Sequence, residues 1–291
     1  MDDSYDEKLE GNLRLRATTD PVSPLVNHFF AGYDRAFILP DEREEIEGFR
    51  NCLALNATLP TLFGRRHREF VLTVDDEDGA LLGGANFLAT GMTAAGGPPV
   101  SVALNYVFVE RASRGRGLAR TLVGAVASVA NRSLLGGGEQ PAPAIFIEQN
   151  DPLKLSSDDY AADSARSGLD QIDRLGIWAR MGARIVDFDY VQPALSADQD
   201  SDDGLIYAAL QFPVPAVPAD YLHDHLQSFF GVSVRKGESI ADDADAWGQL
   251  EALSAQRGAV ALLDMGAAIE ALRAEGAAHA RSFRDLAKGL V

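Results

Sequence analysis

Residues 107–123 read VFVERASRGRGLARTLV, and this run decides how the rest of the chain is read. An apolar stretch enters a turn carrying Gly115 and Gly117, and a second apolar stretch leaves it. Leu118, Leu122, Ala125, Val126 and Val129 recur at spacings of three and four, which predicts a helix over about 117–131. Upstream, SVALNYVFV (101–109) has the β-branched and aromatic content of a strand. Strand, glycine turn and helix together outline an anion site. The first-turn N–H groups of a helix lack internal acceptors, its dipole adds partial positive charge, and glycine admits a ligand where a Cβ would obstruct. Arg111, Arg114, Arg116 and Arg120 gather here in a chain of formal charge −17, and guanidinium groups can clamp outer phosphate oxygens. The plain alternative is a helix entry with surface arginines. There is no G-x-x-x-x-G-K-[ST] loop and no third glycine of a dinucleotide fingerprint.

Working outward, NLRLR (12–16) predicts a short strand, followed by helices at about 23–35 after Pro21 and 41–56 after Pro40. EFVLTV (69–74) and LLGGANFLAT (81–90) flank DDEDG, a hairpin signal. After the helix, Gly136–Gly138 and two prolines precede AIFIE (144–148), a buried strand. Residues 151–170 are polar without clear periodicity and suggest a flap. A helix at about 170–181 stops at Gly182. RIVDFDYV (184–191) alternates strictly, with Val186, Phe188 and Tyr190 on one side, and LIYAALQF (205–212) can pair with it across an acidic loop at 198–203. Beyond a proline-rich linker, PVPAVP (213–218), the segment 219–291 is alanine- and leucine-rich and is expected to be helical.

The 291 residues include 46% hydrophobic residues, enough for a sizeable core. The single cysteine, Cys52, excludes an internal disulfide and reads as a small core residue in a reducing compartment. MDDSYDEKLEGN is the opposite of a signal peptide, and no apolar run approaches the roughly 18 residues that span a bilayer. A soluble cytoplasmic protein that binds no membrane is expected. The acid excess argues against nucleic acid as a partner, since phosphate neutralisation needs a basic face. The acidic loops at 75–78, 158–163 and 198–203 would suit a cationic acceptor, or solubility alone. His223 and His225 point to different faces of a helix, so no metal site is expected.

Arg114-Gly115-Arg116-Gly117-Leu118-Ala119 resembles the R/Q-x-x-G-x-G/A motif of the GCN5-related N-acetyltransferase (GNAT) family. VFVE is similar to the family's preceding strand and LARTLV to its following helix. AIFIEQN resembles the next strand, and IDRLGIWARMGARIVDFDY the helix, glycine turn and strand after it. The likeness spans roughly 12–212. It implies an α/β (α+β) fold, with a mixed, mostly antiparallel sheet flanked by helices as a domain over 1–212; the helical extension expected over 219–291 lies outside the likeness. The extension is amphipathic and is expected to pack on the main domain, the other readings being a dimerisation element that would make a homodimer, a cover over the acceptor site, or a partner-binding appendage.

The resemblance implies acetyl-CoA as co-substrate and direct transfer to an amine. Backbone N–H groups from Arg114 through Gly115, Arg116, Gly117 and Leu118 to Ala119 would hold the pyrophosphate. The backbone of Val107, Phe108 and Val109 would bind the pantetheine arm and polarise the acetyl carbonyl. Strand 144–148 would diverge from strand 101–109 to open the thioester slot, and Asn150 would contact the coenzyme. An alkyl amine is mostly charged at neutral pH and needs a base. Glu148, at a strand end, is the first candidate and Glu110 the second. The family's usual thiolate-protonating tyrosine is replaced by Trp178, which has no useful proton to give. Tyr160 or Tyr190 is expected to take that role, or the thiolate leaves unprotonated. A coenzyme A-binding sensor without turnover, or an interaction protein acting through its helical tail, are the alternatives.

Overall fold

The computed structural model describes residues 3–37, 43–196, 199–276 and 280–290. In chain order the elements are β1 (Ser4–Leu9), β2 (Leu13–Thr18), α1 (Pro24–Ala36), α2 (Ile46–Thr58), β3 (Thr61–Leu62), β4 (Arg65–Asp75), β5 (Leu81–Gly91) and β6 (Val100–Val109). There follow α3 (Leu118–Leu135), β7 (Ala144–Asn150), α4 (Ser157–Ser167), α5 (Gln171–Arg180), β8 (Ala183–Val186) and β9 (Leu205–Leu210). The chain ends with β10 (Ala216–Pro218), α6 (Ala219–Phe229), α7 (Ala244–Ala255), β11 (Ala259–Asp264), α8 (Met265–Glu275) and α9 (Phe283–Lys288). The architecture is the expected one: a mostly antiparallel sheet flanked by helices.

The chain divides into two compact units. The first takes the chain up to Thr93, then Pro98–Pro143 and Asp224–Asp242; the second takes Ala94–Gly97, Ala144–His223 and everything from Asp243. The proline-rich run at 213–218 is therefore no boundary. Part of it is β10, which pairs with β11 through Val217 and Val260.

In the first unit β1, β2, β4, β5 and β6 form an antiparallel sheet, with β3 on β4. The hairpin read around DDEDG is present, and Asp76 holds its turn by accepting from the Asp78 and Ala80 amides at 3.0 and 2.8 Å. Helices α1 and α2 pack Phe29, Tyr33, Phe49 and Leu53 over one sheet face, where Phe108 joins them. The strand β1 lies in what reads as an acidic tail. Exposed Ser4, Asp6 and Lys8 alternate with half-buried Tyr5, Glu7 and Leu9, and Arg132 sits over the Tyr5 ring at 4.7 Å from its centre, so charged side chains line this strand. Pro40 and residues 41–42, part of the expected second helix, lie outside the described residues; the helix begins at Ile46.

In the second unit β7, β9, β8, β11 and β10 follow one another, each antiparallel to its neighbour. Three expectations change here. The segment 151–170 is not an irregular flap but contains α4, opened by Ser156 accepting from the Asp159 amide and stopped by Gly168 at φ 64°. It shows no apolar period because Asp163 is its only buried residue. The strand read over 184–191 ends at Val186, because tight turns from Phe188 N to Val186 O (2.8 Å) and Tyr190 N to Phe188 O (3.0 Å) bend the chain away. The tail is not purely helical: AVALLD (259–264) is β11, which covers the edge of β8 with Leu263 opposite Ile185. Its apolar run is too short for periodicity to separate strand from helix.

Many of the acidic residues are also engaged internally. Asp75 is fully buried against Arg16 (2.7 Å) and His28 (2.6 Å). Asp163 accepts from Arg174, and Asp203 pairs with Lys154. Asp198 lies outside the described residues. Among the described residues no helix is long and apolar enough to cross a membrane.

Candidate functional site

In the first unit β6 ends at Val109, and a single 3-10 turn (Arg111–Ser113) leads to an extended Arg114. Gly115 and Gly117 then both take φ +78°, a region costly for any residue with a Cβ. Two left-handed residues so close lead the chain from the end of β6 into α3. Gly117 caps α3 without a side-chain bond. Among the described residues, no acceptor meets the N–H groups of Gly115, Arg116, Gly117, Leu118 or Ala119. A Cβ placed on Gly115 or Gly117 would meet nothing within 4 Å, so open space lies before the turn. A run of free donors at a helix N-terminus is chemistry that suits a phosphate group. Arg111, Arg114, Arg116 and Arg120 are all exposed around it, and Arg114 Nε donates to the Val109 carbonyl at 3.3 Å.

The ladder between β5 and β6 sorts the three strand residues expected to meet the pantetheine arm. Glu110 N donates to Leu82 O at 2.9 Å, continuing the pairing of Phe108 with Gly84. In an antiparallel ladder the bonded pairs alternate, so Phe108 spends its backbone groups on β5. Val107 and Val109 turn theirs to the opposite edge. The Phe108 side chain is buried against Phe29, with ring centres 5.6 Å apart, and it is core.

One turn further back the register of β5 and β6 shifts, because Asn86 opposes Tyr106 while Leu88 opposes Ala103. Two residues of β6, Leu104 and Asn105, thus face the single Phe87, which is a β-bulge. A polar cluster that sequence reasoning missed converges on it. Glu69 on β4, 1% exposed, accepts from Asn86 Nδ2 at 2.6 Å, Asn105 Nδ2 at 3.2 Å and Ser233 Oγ at 3.2 Å. Ser233 arrives on a wide π-helical turn (Phe230–Val234) closed by Arg235 N to Phe230 O at 2.7 Å. Burial pushes the Glu69 carboxyl up to about 7, against the pull of its three donors. In the sequence EFVLTV, Glu69 is indistinguishable from an outward polar strand residue.

A buried acid with a raised value holds a proton in the folded chain that the unfolded chain has released. Its stabilising contribution is complete below the ordinary carboxylate range and is lost as pH rises to about 7. Across that window the wild type should lose up to about 1.4 kcal/mol per pH unit relative to Glu69→Gln. Paired urea denaturation of the two proteins from pH 4.5 to 8 reads this directly. Parallel profiles would show that Glu69 ionises as an exposed acid does.

In the second unit Glu148 is half-buried near the end of β7, opposite Tyr207 on β9. The Tyr190 hydroxyl donates to Glu148 Oε1 and lies 2.6 Å from Gln192 Oε1. Its ring stacks on Tyr207 at 4.4 Å, and Tyr207 stacks on Phe146. Burial, and then the Glu148 charge, raises both tyrosine hydroxyls well above their usual value. Glu148 and Tyr190 are thus brought together. Tyr160 is elsewhere on α4, donating to Asp170 at 2.7 Å, and burial with that hydrogen bond lifts it to about 12.

Asn150 is buried at the end of β7, but the turn that follows is held by Asp151. Its carboxylate accepts from the Leu153 and Phe283 amides at 2.9 and 2.7 Å. Trp178, 6% exposed, packs in the core beside α5's Leu175. Glu110, the second candidate base, is paired with Arg35 at 2.5 Å in the first unit. Cys52 is buried and its thiol is pushed up by desolvation, so it is inert. His225 is buried against Ser101 and burial drives it down to about 3, leaving it neutral. Among the described residues no cluster suited to a metal occurs.

No protein-family model matches the chain, and no curated protein does. Solved structures give matches at low identity. A GCN5-related N-acetyltransferase from Kribbella flavida is 18% identical, with 68% of this chain and 96% of that one covered and a TM-score of 0.32. The ribosomal-protein-S18-alanine N-acetyltransferase from Escherichia coli is 13% identical over 72% and 93% of the two chains, with a TM-score of 0.34. A spermidine N-acetyltransferase variant from Vibrio cholerae is 11% identical over 69% and 94%, also at 0.34. All three carry the name of N-acetyltransferases.

Proposed function

We propose that this chain is a GNAT-family N-acetyltransferase that takes acetyl-CoA as donor and an amine as acceptor. The observation that carries this reading is the turn 114–119: two left-handed glycines, five successive N–H groups that find no acceptor among the described residues, and open space at both glycines. A pyrophosphate is the ligand whose charge and size match that run of donors. Val107 and Val109, with backbone groups turned off the β5 edge, are the residues to bind the pantetheine arm, and one of their N–H groups would stabilise the developing oxyanion.

Glu148 is the proposed base. It takes a proton from the ammonium, the neutral amine adds to the thioester carbonyl, and collapse breaks the C–S bond. The thiolate leaves with the second nitrogen proton, which removes the need for a separate acid. Tyr190 suits that role poorly, since its proton is committed to Glu148 and its raised value makes it a weak acid. It serves instead to orient the carboxylate. The buried Trp178 favours one other reading, a coenzyme-binding protein without turnover.

Calorimetry with acetyl-CoA followed by thiol release from an amine panel separates the two readings. Absence of acyl-CoA binding would sink both, and binding without turnover would leave only the second. Glu148→Gln should lower kcat by about 100-fold or more with acetyl-CoA affinity kept within twofold. An unchanged pH–rate profile in that variant would remove Glu148 as base.

A further inference from the structure

Asn105 is a polar residue set into the β6 bulge, and its amide orientation is fixed by its neighbours. Its Nδ2 lies 3.2 Å from Glu69 Oε1, 3.1 Å from Asn86 Oδ1 and 3.2 Å from Ser233 Oγ. Asn86 cannot turn its own amide over, because its Nδ2 is held between Glu69 and the Phe70 carbonyl at 2.9 Å. Turning Asn105 over would set its oxygen against the Glu69 and Asn86 oxygens, so the cluster holds Nδ2 inward. The consequence is that Asn105 Oδ1 is left enclosed with no hydrogen-bond partner among the described residues. A buried acceptor is costly when it stays unpaired, and a bulge is a common device for re-aiming a side chain beside an active site.

We propose that Asn105 Oδ1 is a docking point for the acceptor substrate, receiving an N–H or ammonium group, and that Glu69 is the positioning residue that holds Asn105 in this orientation. The inference rests on the acetyltransferase reading, because Asn105 lies two residues before Val107 on the strand assigned there to the thioester. The chemistry selects a hydrogen-bond donor, since a carboxylate or carbonyl oxygen would repel Oδ1. A cationic donor gains further from the Glu69 carboxylate behind it. The other groups around Glu69 are the neutral Cys52 thiol, the Ser233 hydroxyl and the two asparagine amides. Lys236 and Glu44, 2.8 Å apart, form an ion pair near Cys52. Glu69 is therefore the group in this cluster whose charge changes near neutrality.

The test begins with wild-type protein, acetyl-CoA and a panel of n-butylamine, spermidine and a lysine-containing peptide, with acetylated product read by mass. For an amine that is turned over, Asn105→Ala should raise the acceptor KM at least tenfold while acetyl-CoA Kd stays within twofold. Asn105→Ser, which keeps a donor for Glu69 but cannot reach as Oδ1 does, should do the same and guards against a folding failure. Glu69→Gln should raise acceptor KM several-fold and flatten its dependence on pH around 7. Acceptor KM within twofold of wild type in the asparagine variants overturns the proposal and leaves the acetyltransferase reading intact. Equal weakening of coenzyme and acceptor also overturns it, since that is the mark of a merely structural residue. Failure of the wild type to bind acetyl-CoA or to acetylate any amine removes the parent reading, and this inference falls with it.

Discussion

Gly117→Trp is expected to abolish acetyl-CoA binding, by about 100-fold or more, in a protein that still folds. The site it alters is open at its base: a Cβ at Gly117 meets nothing within 4 Å, so a side chain there starts in free space. Placing a non-glycine residue at φ +78° costs about 1–2 kcal/mol, a shift of a few degrees in Tm for a chain of this size. The indole would occupy the space that the N–H groups of 115–119 face. Hydrogen bonds to a charged phosphate contribute about 1.5–3 kcal/mol each, so loss of two exceeds a hundredfold at about 1.4 kcal/mol per decade. Gly117→Ala, with the same backbone strain and little bulk, should weaken binding only several-fold and separates occlusion from strain. Calorimetric titration beside a thermal melt measures both quantities. Wild-type affinity in Gly117→Trp would show that the coenzyme does not use this turn.

Truncation after Pro218 is expected to prevent folding, although 219–291 reads as an appendage. The first unit would lose Asp224, Gln227 and Ser228 from around Arg65, a residue only 6% exposed. Breaking a buried pair by removing one partner costs about 3–5 kcal/mol. It would lose Ser233 from Glu69, and with it the buried Leu226, Phe230, Val232 and Val234. The second unit would lose β11, exposing the edge of β8, and the Phe283 amide that satisfies Asp151. Set against a total stability of about 5–15 kcal/mol, these losses leave no folded state. The fragment 1–218 should be insoluble on expression or lack a cooperative melt. A soluble fragment with a sharp thermal transition would show that the tail is dispensable.

The fold was legible in the sequence wherever local chemistry alone decides. The hairpin at DDEDG, the Gly182 stop and the helix after Gly117 are set by turn residues and a 3.6-residue period. Irregular or short elements escaped. Helix α4 has no apolar face to announce it, β1 hides in a charged tail, and β11 is a six-residue run that fits helix or strand equally. The candidate site was legible in the same uneven way. The phosphate turn shows itself through Gly115 and Gly117, because no other residue adopts that backbone so readily. Glu69, Asn86, Asn105 and Ser233 carry no local signature, since each is an ordinary strand or loop residue until four elements meet.

By itself, then, the sequence determined the strand–turn–helix at 107–123 and the longer regular elements on either side of it, since backbone preference and hydrophobic period act over a few residues. Only the tertiary structure decided that Tyr190 reaches Glu148 while Tyr160 is held at Asp170. It alone decided that Val107 and Val109, and not Phe108, turn their backbone away from β5, because a one-residue bulge sets the ladder's parity. It also made 224–242 part of the first unit, where Ser233 and Asp224 satisfy buried charges on β4. These are contacts between residues up to 164 positions apart, and no short-range rule contains them.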